Sequence, residues 1–226
     1  MKRVIYLIGI VLVLCVIWYL TTLIPLPPRA PSENAISVAT STLMASTTNY
    51  TVEADYPQFG IPVIDSQIKQ QIDNGVSDLE SQAVSDQPAA NGFPIYDFTS
   101  AFDSVYVGPD YISVRLILAD YTGGAHELPV IIGDNFHRDT GELATLDEAL
   151  SLTGMTLDQV ASSSKAQLAQ NPDTQPTDIW TSGSDPTPNN YSTFLINKDS
   201  VIFIFQPYQV APFSSGAPEV TFPRTK

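Results

Sequence analysis

Twenty-one consecutive residues near the start of the chain carry no charge, and they restrict its topology more than any other stretch. From Val4 to Ile24 the sequence reads VIYLIGIVLVLCVIWYLTTLI. Coiled into a helix rising about 1.5 Å per residue, it spans roughly the 30 Å of a bilayer core. Trp18 and Tyr19 fall near its far end, where aromatic rings prefer the interface, and Lys2 and Arg3 mark the cytoplasmic side. A cleaved signal peptide is the competing reading. Its apolar region usually runs about 7 to 15 residues before small residues, whereas this run is longer and continues into PLPPRAP. The expectation is a retained single-pass anchor, residues 1–24, with the rest of the chain outside the cell. Cys15, the one cysteine, lies inside the run, so no disulfide framework within the chain is expected.

Residues 25–49 are rich in Pro, Ser, Thr and Ala with two charges, Arg29 and Glu33, and read as an extended tether. The folded domain is expected over residues 50–226. Lys2 and Arg3 precede the apolar run, so the chain beyond that run holds 8 of the 10 basic residues against all 24 acidic ones, a formal −16. Such a surface repels nucleic acid and anionic lipid and favours a basic partner, although acidity also serves plain solubility.

Periodicity organises the domain. YTVEADYP, residues 50–57, alternates as a first strand. Ile64, Ile68, Ile72, Val76, Leu79 and Ala83 then recur at helical spacing. Tyr96–Val107 and Tyr111–Tyr121 are aromatic and β-branched around a GPD turn, a hairpin signature. Leu128–Phe136 offers a third strand, and two helices are expected over Leu146–Leu152 and Thr156–Gln170. Asn171–Asn190 holds four prolines and reads as a long loop around Trp180. A second hairpin, YSTFLIN and SVIFIF joined by KD, and a short strand Glu219–Phe222 complete the chain. The fold class expected is α+β: a largely antiparallel sheet packed with an amphipathic helix and two further helices, after one transmembrane helix.

Signals for catalysis are thin. Asp139-Thr140-Gly141 matches the aspartic protease triplet, but His137 and Arg138 precede it where that site needs a buried strand end, and a glycine turn is the economical reading. His126 and His137, the two histidines, lie 11 residues apart, an odd offset that sends strand side chains to opposite faces. No metal or cofactor is expected, and no nucleophile elbow, phosphate loop or dinucleotide fingerprint occurs. Two local features stand out instead. YTGGAH, Tyr121–His126, places Gly123 and Gly124 directly after a strand, as a tight hairpin or a ligand-facing turn. FQPYQVAPFSSGAPEV, Phe205–Val220, follows a buried strand with prolines, rings and a single charge.

Together with YPQFGIPVIDSQIKQQID and DTGELATLDEAL, these two segments resemble the extracellular domain shared by RsiV-type lysozyme-sensing anti-sigma factors and PdaC-type peptidoglycan deacetylases. The GGAH turn and the PY-x-VAP-aromatic ending are the most specific parts. Phe213 stands where that family commonly has tyrosine. The resemblance implies a non-enzymatic binding or sensing domain at the bacterial cell envelope, with lysozyme or peptidoglycan as partner. Three residues before the anchor leave no room for a sigma-factor-binding domain, so no output module is expected. Expected contact residues are Tyr121, Gly123, Gly124 and His126 from the turn, and Pro207, Tyr208, Pro212 and Phe213 from the C-terminal segment. Alternatives are an envelope glycan hydrolase using paired carboxylates and a structural subunit of an envelope complex.

Overall fold

A computed structural model describes residues 36–171 and 181–225, which belong to one compact unit, Ile36–Lys226. The anchor at Val4–Ile24, Cys15, the first part of the tether and Trp180 lie outside the described residues. No helix among the described residues is long and apolar enough to cross a membrane.

The longest helix, α1 (Pro62–Asp86), buries Ile64, Ile68, Ile72, Val76, Leu79 and Ala83, the set that the periodicity picks out. Pro62 starts it without losing a hydrogen bond, since the first amides of a helix have no intrahelical partner. Gln87 ends it at φ +43°, returning its amide to Ala83. Before the helix come β1 (Ala39–Ser46) and β2 (Tyr50–Gln58); after it come β3 (Tyr96–Val107), β4 (Tyr111–Tyr121) and β5 (Val130–His137). They form one sheet in the order β1-β2-β3-β4-β5, and α1 covers its apolar face.

One correction and one refinement concern this largely antiparallel sheet. The tether expected as far as Asn49 ends earlier, because Ala39–Ser46 pairs antiparallel with β2 along its whole length. The strand turns Leu43 and Ala45 onto the core. The pairing of β2 with β3 is parallel, Tyr50–Ala54 against Tyr96–Ser100, with α1 as the crossover. That register also accommodates Pro57, which pairs with Thr40 on one side and lies beyond the β3 contact on the other.

The remaining elements build a second layer. Helices α2 (Leu146–Thr153) and α3 (Leu157–Gln170) each begin with a capping box, Thr145 with Glu148 and Thr156 with Gln159. Strands β6 (Phe194–Ile196), β7 (Ser200–Ile204) and β8 (Glu219–Pro223) form a separate three-stranded antiparallel sheet. The fold is therefore mixed α+β with two sheets instead of one. Tyr191, Phe203, Phe205 and Phe222 fill the core between this sheet and the two helices.

Side chains weld the two sheets. Asn135, buried on β5, donates to the Phe194 carbonyl at 2.7 Å and accepts the Ile196 amide at 2.6 Å. Ser113 donates to the Ile196 carbonyl at 2.7 Å. Gly133 makes the approach possible, for a Cβ there would stand 2.2 Å from the Phe194 carbonyl oxygen.

Candidate functional site

The segment after β7 is held by two glutamines. Gln206 accepts the Ile131 amide at 2.9 Å and donates to the Ile131 carbonyl at 2.7 Å, completing the edge of β5 as a neighbouring strand would. Gln209 donates to the carbonyls of Gly183 and Asn190 and accepts the Gln206 amide. Gly183 is required here, because a Cβ would lie 1.8 Å from the Gln209 carbonyl oxygen. Val210 and Ala211, directly after these anchors, are fully buried. Tyr208 is left outside, exposed and at φ +67°, a conformation a tyrosine adopts only under constraint from its neighbours. A short 3-10 turn, Phe213–Ser215, then lifts Phe213 to the surface.

Across from it stands the glycine turn. Gly123 and Gly124 have φ of +104° and +120°, and nothing lies within 4 Å of where their side chains would be. Conformation, not space, demands glycine. The Tyr121 hydroxyl donates to the Gly124 carbonyl at 3.1 Å and closes the loop.

His126 joins the two segments. Its ring stacks on Phe213 with centroids 4.0 Å apart and 20° between planes. Nδ1 lies 2.6 Å from the Glu127 carbonyl oxygen and so carries the proton. The other ring nitrogen, Nε2, lies 3.4 Å from the Tyr208 hydroxyl. Tyr208 and Phe213 are themselves 5.5 Å apart. An open groove of about 620 Å³ runs here, lined by Tyr121, Ala125, His126, Glu127, Pro129 and Phe213.

Of the eight residues expected from sequence, Tyr121, His126 and Phe213 line this groove, and Tyr208 stands beside it against His126 and Phe213. Gly123 and Gly124 shape the loop, while Pro207 and Pro212 directly precede Tyr208 and Phe213 in the chain without lining the groove. Sequence reading missed Gln206 and Gln209, which position the whole segment. Two amides in an otherwise apolar run are a usable signal, since buried amides must find partners. The second histidine goes elsewhere: His137 pairs with Glu148 at 2.9 Å and packs on Tyr111. Asp139-Thr140-Gly141 is a turn in which Gly141 takes φ +72° and returns its amide to the His137 carbonyl. Among the described residues no group of three metal-ligating side chains occurs.

Comparison with known proteins places the C-terminal part. Residues 150–225 match the family described as a protein of unknown function, DUF3298. The match takes in α3, the second sheet and the Gln206–Phe213 segment. No curated protein matches the chain. Among solved structures, a DUF3298 family protein from Pseudomonas aeruginosa PAO1 is similar at 19% identity and a TM-score of 0.55, over 84% of this chain and 92% of that one. A DUF3298 member from Bacteroides fragilis NCTC 9343 is similar at 16% identity and a TM-score of 0.50, over 84% of this chain and 90% of that one. Both are likenesses of fold, and each covers more of the chain than the residues 150–225 that the family match takes in.

Proposed function

We propose that this chain is a non-enzymatic, membrane-anchored binding domain of the bacterial cell envelope, displayed outside the cell by the apolar run Val4–Ile24. One observation carries the reading: two segments 82 residues apart at His126 and Tyr208 converge on a single aromatic groove whose rings are held from behind. Rigid aromatic side chains give large contact area at low entropic cost, the usual character of binding hot spots. A Tyr208 kept at positive φ fits a surface shaped for contact.

The resemblance to RsiV-type and PdaC-type ectodomains supports lysozyme or peptidoglycan as the ligand. Net charge favours the basic protein of the two, because the chain carries −14 overall. The test is binding of the full chain, in detergent, to lysozyme and to purified insoluble peptidoglycan. Tyr208→Ala and Phe213→Ala are expected to weaken binding about tenfold or more while the cooperative melt is kept. Unchanged affinity in both variants, or no binding to either ligand by the native chain, overturns the proposal.

A further inference from the structure

A second concavity adjoins the groove along the chain, for Asp120 precedes Tyr121 and Val130 follows Pro129. It is a notch of about 260 Å³ between α1 and the sheet. Its floor is apolar: Leu79 from the helix and Phe98 from β3, both buried, and the half-buried Leu118 from β4, with the half-exposed Val130 opposite it as a wall. Gly75 sets its depth, because a Cβ there would meet the Phe98 ring at 2.6 Å.

The rim is acidic. Asp78 on α1 and Asp120 at the end of β4 both line the notch and both are exposed. Neither makes an ion pair among the described residues, although three of the six described cations do: Lys69 with Asp73, Arg115 with Asp103 and Glu219, and Lys165 with Asp185. The other three are committed elsewhere. Arg138 donates to the Gly108 carbonyl, and Lys198 and Arg224 line a separate cavity at that same turn. An apolar slot closed by two unneutralised carboxylates matches one common chemical shape, a long methylene stem ending in a cation. A neutral side chain would strip water from the carboxylates without compensation, and an acidic one would be repelled.

We propose that the notch seats a lysine or arginine side chain of a protein partner, with the stem on Leu79, Phe98 and Leu118 and the cation between Asp78 and Asp120. This deepens the reading of the aromatic groove as a contact face by assigning the partner a basic residue beside whatever fills the groove.

The experiment is a methyl NMR titration of the full chain, labelled at Ala, Leu and Val, with acetyl-Gly-Lys-Gly-amide and its norleucine analogue. Leu79, Leu118 and Val130 report on the notch, and Ala125 reports on the groove. The lysine peptide is expected to shift the notch methyls saturably, with dissociation in about the millimolar range. Norleucine should shift them several-fold less. Asp78→Asn and Asp120→Asn should each weaken the lysine peptide about two- to five-fold, the usual worth of one exposed ion pair. Equal shifts with norleucine, undiminished binding by the double variant, or movement of Ala125 alone each overturn the seat. Loss of groove binding in Tyr208→Ala with intact notch shifts would leave the seat standing, so the two proposals fail separately.

Discussion

Asp134 should destabilise the domain at neutral pH, and replacing it with asparagine should make the protein stronger. The residue sits on β5 facing α1 with 3% of its surface exposed. Its sole hydrogen-bond partner among the described residues is Gln71, whose Nε2 donates to Oδ2 at 2.9 Å. Burial raises the carboxyl from 3.8 to about 6, against the smaller opposing pull of that hydrogen bond. Below 3.8 the group is protonated in both folded and unfolded chains and costs nothing. Between the two values it ionises first in the unfolded chain, so the fold loses about 1.4 kcal/mol per pH unit. Above about 6 the loss is complete, and the interval from 3.8 to about 6 amounts to about 3 kcal/mol. Gln71 adds a second cost, since its Oε1 is buried without a partner among the described residues. Asp134→Asn removes the charge, keeps an acceptor for Nε2 and offers an N–H to Oε1. Urea unfolding of both proteins from about pH 4 to about pH 8 measures the difference and cancels the effect of every other carboxylate. The variant should gain about 3 kcal/mol at the alkaline end, and the gain should shrink as pH falls through about 6 toward 3.8. A variant no more stable at neutral pH, or a difference that does not narrow in acid, refutes the reasoning.

Other perturbations separate scaffold from surface. Asn135→Ala strands the Phe194 carbonyl and the Ile196 amide and should cost about 2–6 kcal/mol in chemical denaturation, at about 1–3 kcal/mol per orphaned buried group. Val210→Ala, at a fully buried site, should cost about 2 kcal/mol, whereas Tyr208→Ala two residues earlier should leave the melting temperature nearly unchanged while weakening ligand binding. A chain beginning at Asn49 lacks β1 and uncovers the core beneath Ile36 and Leu43; it should be about 2 kcal/mol less stable in urea than one beginning at Ile36. Thr145→Ala removes the hydroxyl half of the α2 capping box and should cost about 1 kcal/mol by the same measurement.

How much the sequence disclosed depends on the range of the forces involved. The α1 core set, the GPD hairpin and the two capped helices are local patterns, and each can be read from neighbours three or four residues away. Strand β1 is different. ATSTLMAS puts Ser41, Leu43 and Ala45 inward, a face too weakly apolar to signal a strand, and its order comes from pairing with β2. The division into two sheets is likewise invisible locally, because the joint is made by Asn135 and Ser113 reaching backbone groups 59 to 83 residues away. Both halves of the groove were legible as unusual segments. Their meeting was not, since nothing in YTGGAH specifies the ring it will stack on.

The C-terminal segment shows how one stretch can be both scaffold and contact surface. Phe205, Val210 and Ala211 point into the core, and the amides of Gln206 and Gln209 occupy backbone partners on β5 and at Gly183 and Asn190. With those positions immobilised, the residues between them have few conformations left. Tyr208 is forced to φ +67° and outward, and Phe213 is turned toward His126 after Pro212. The ordering entropy of these rings is therefore lost at folding, where the buried neighbours offset it, and not at binding. Shortening Gln209 to alanine tests this coupling from a distance. The variant keeps every groove side chain but frees the turn that presents them, so Gln209→Ala should weaken ligand binding while His126, Tyr208 and Phe213 remain. If it lowers stability and leaves affinity intact, the rings do not depend on the scaffold for their geometry, and the argument for a preorganised groove fails.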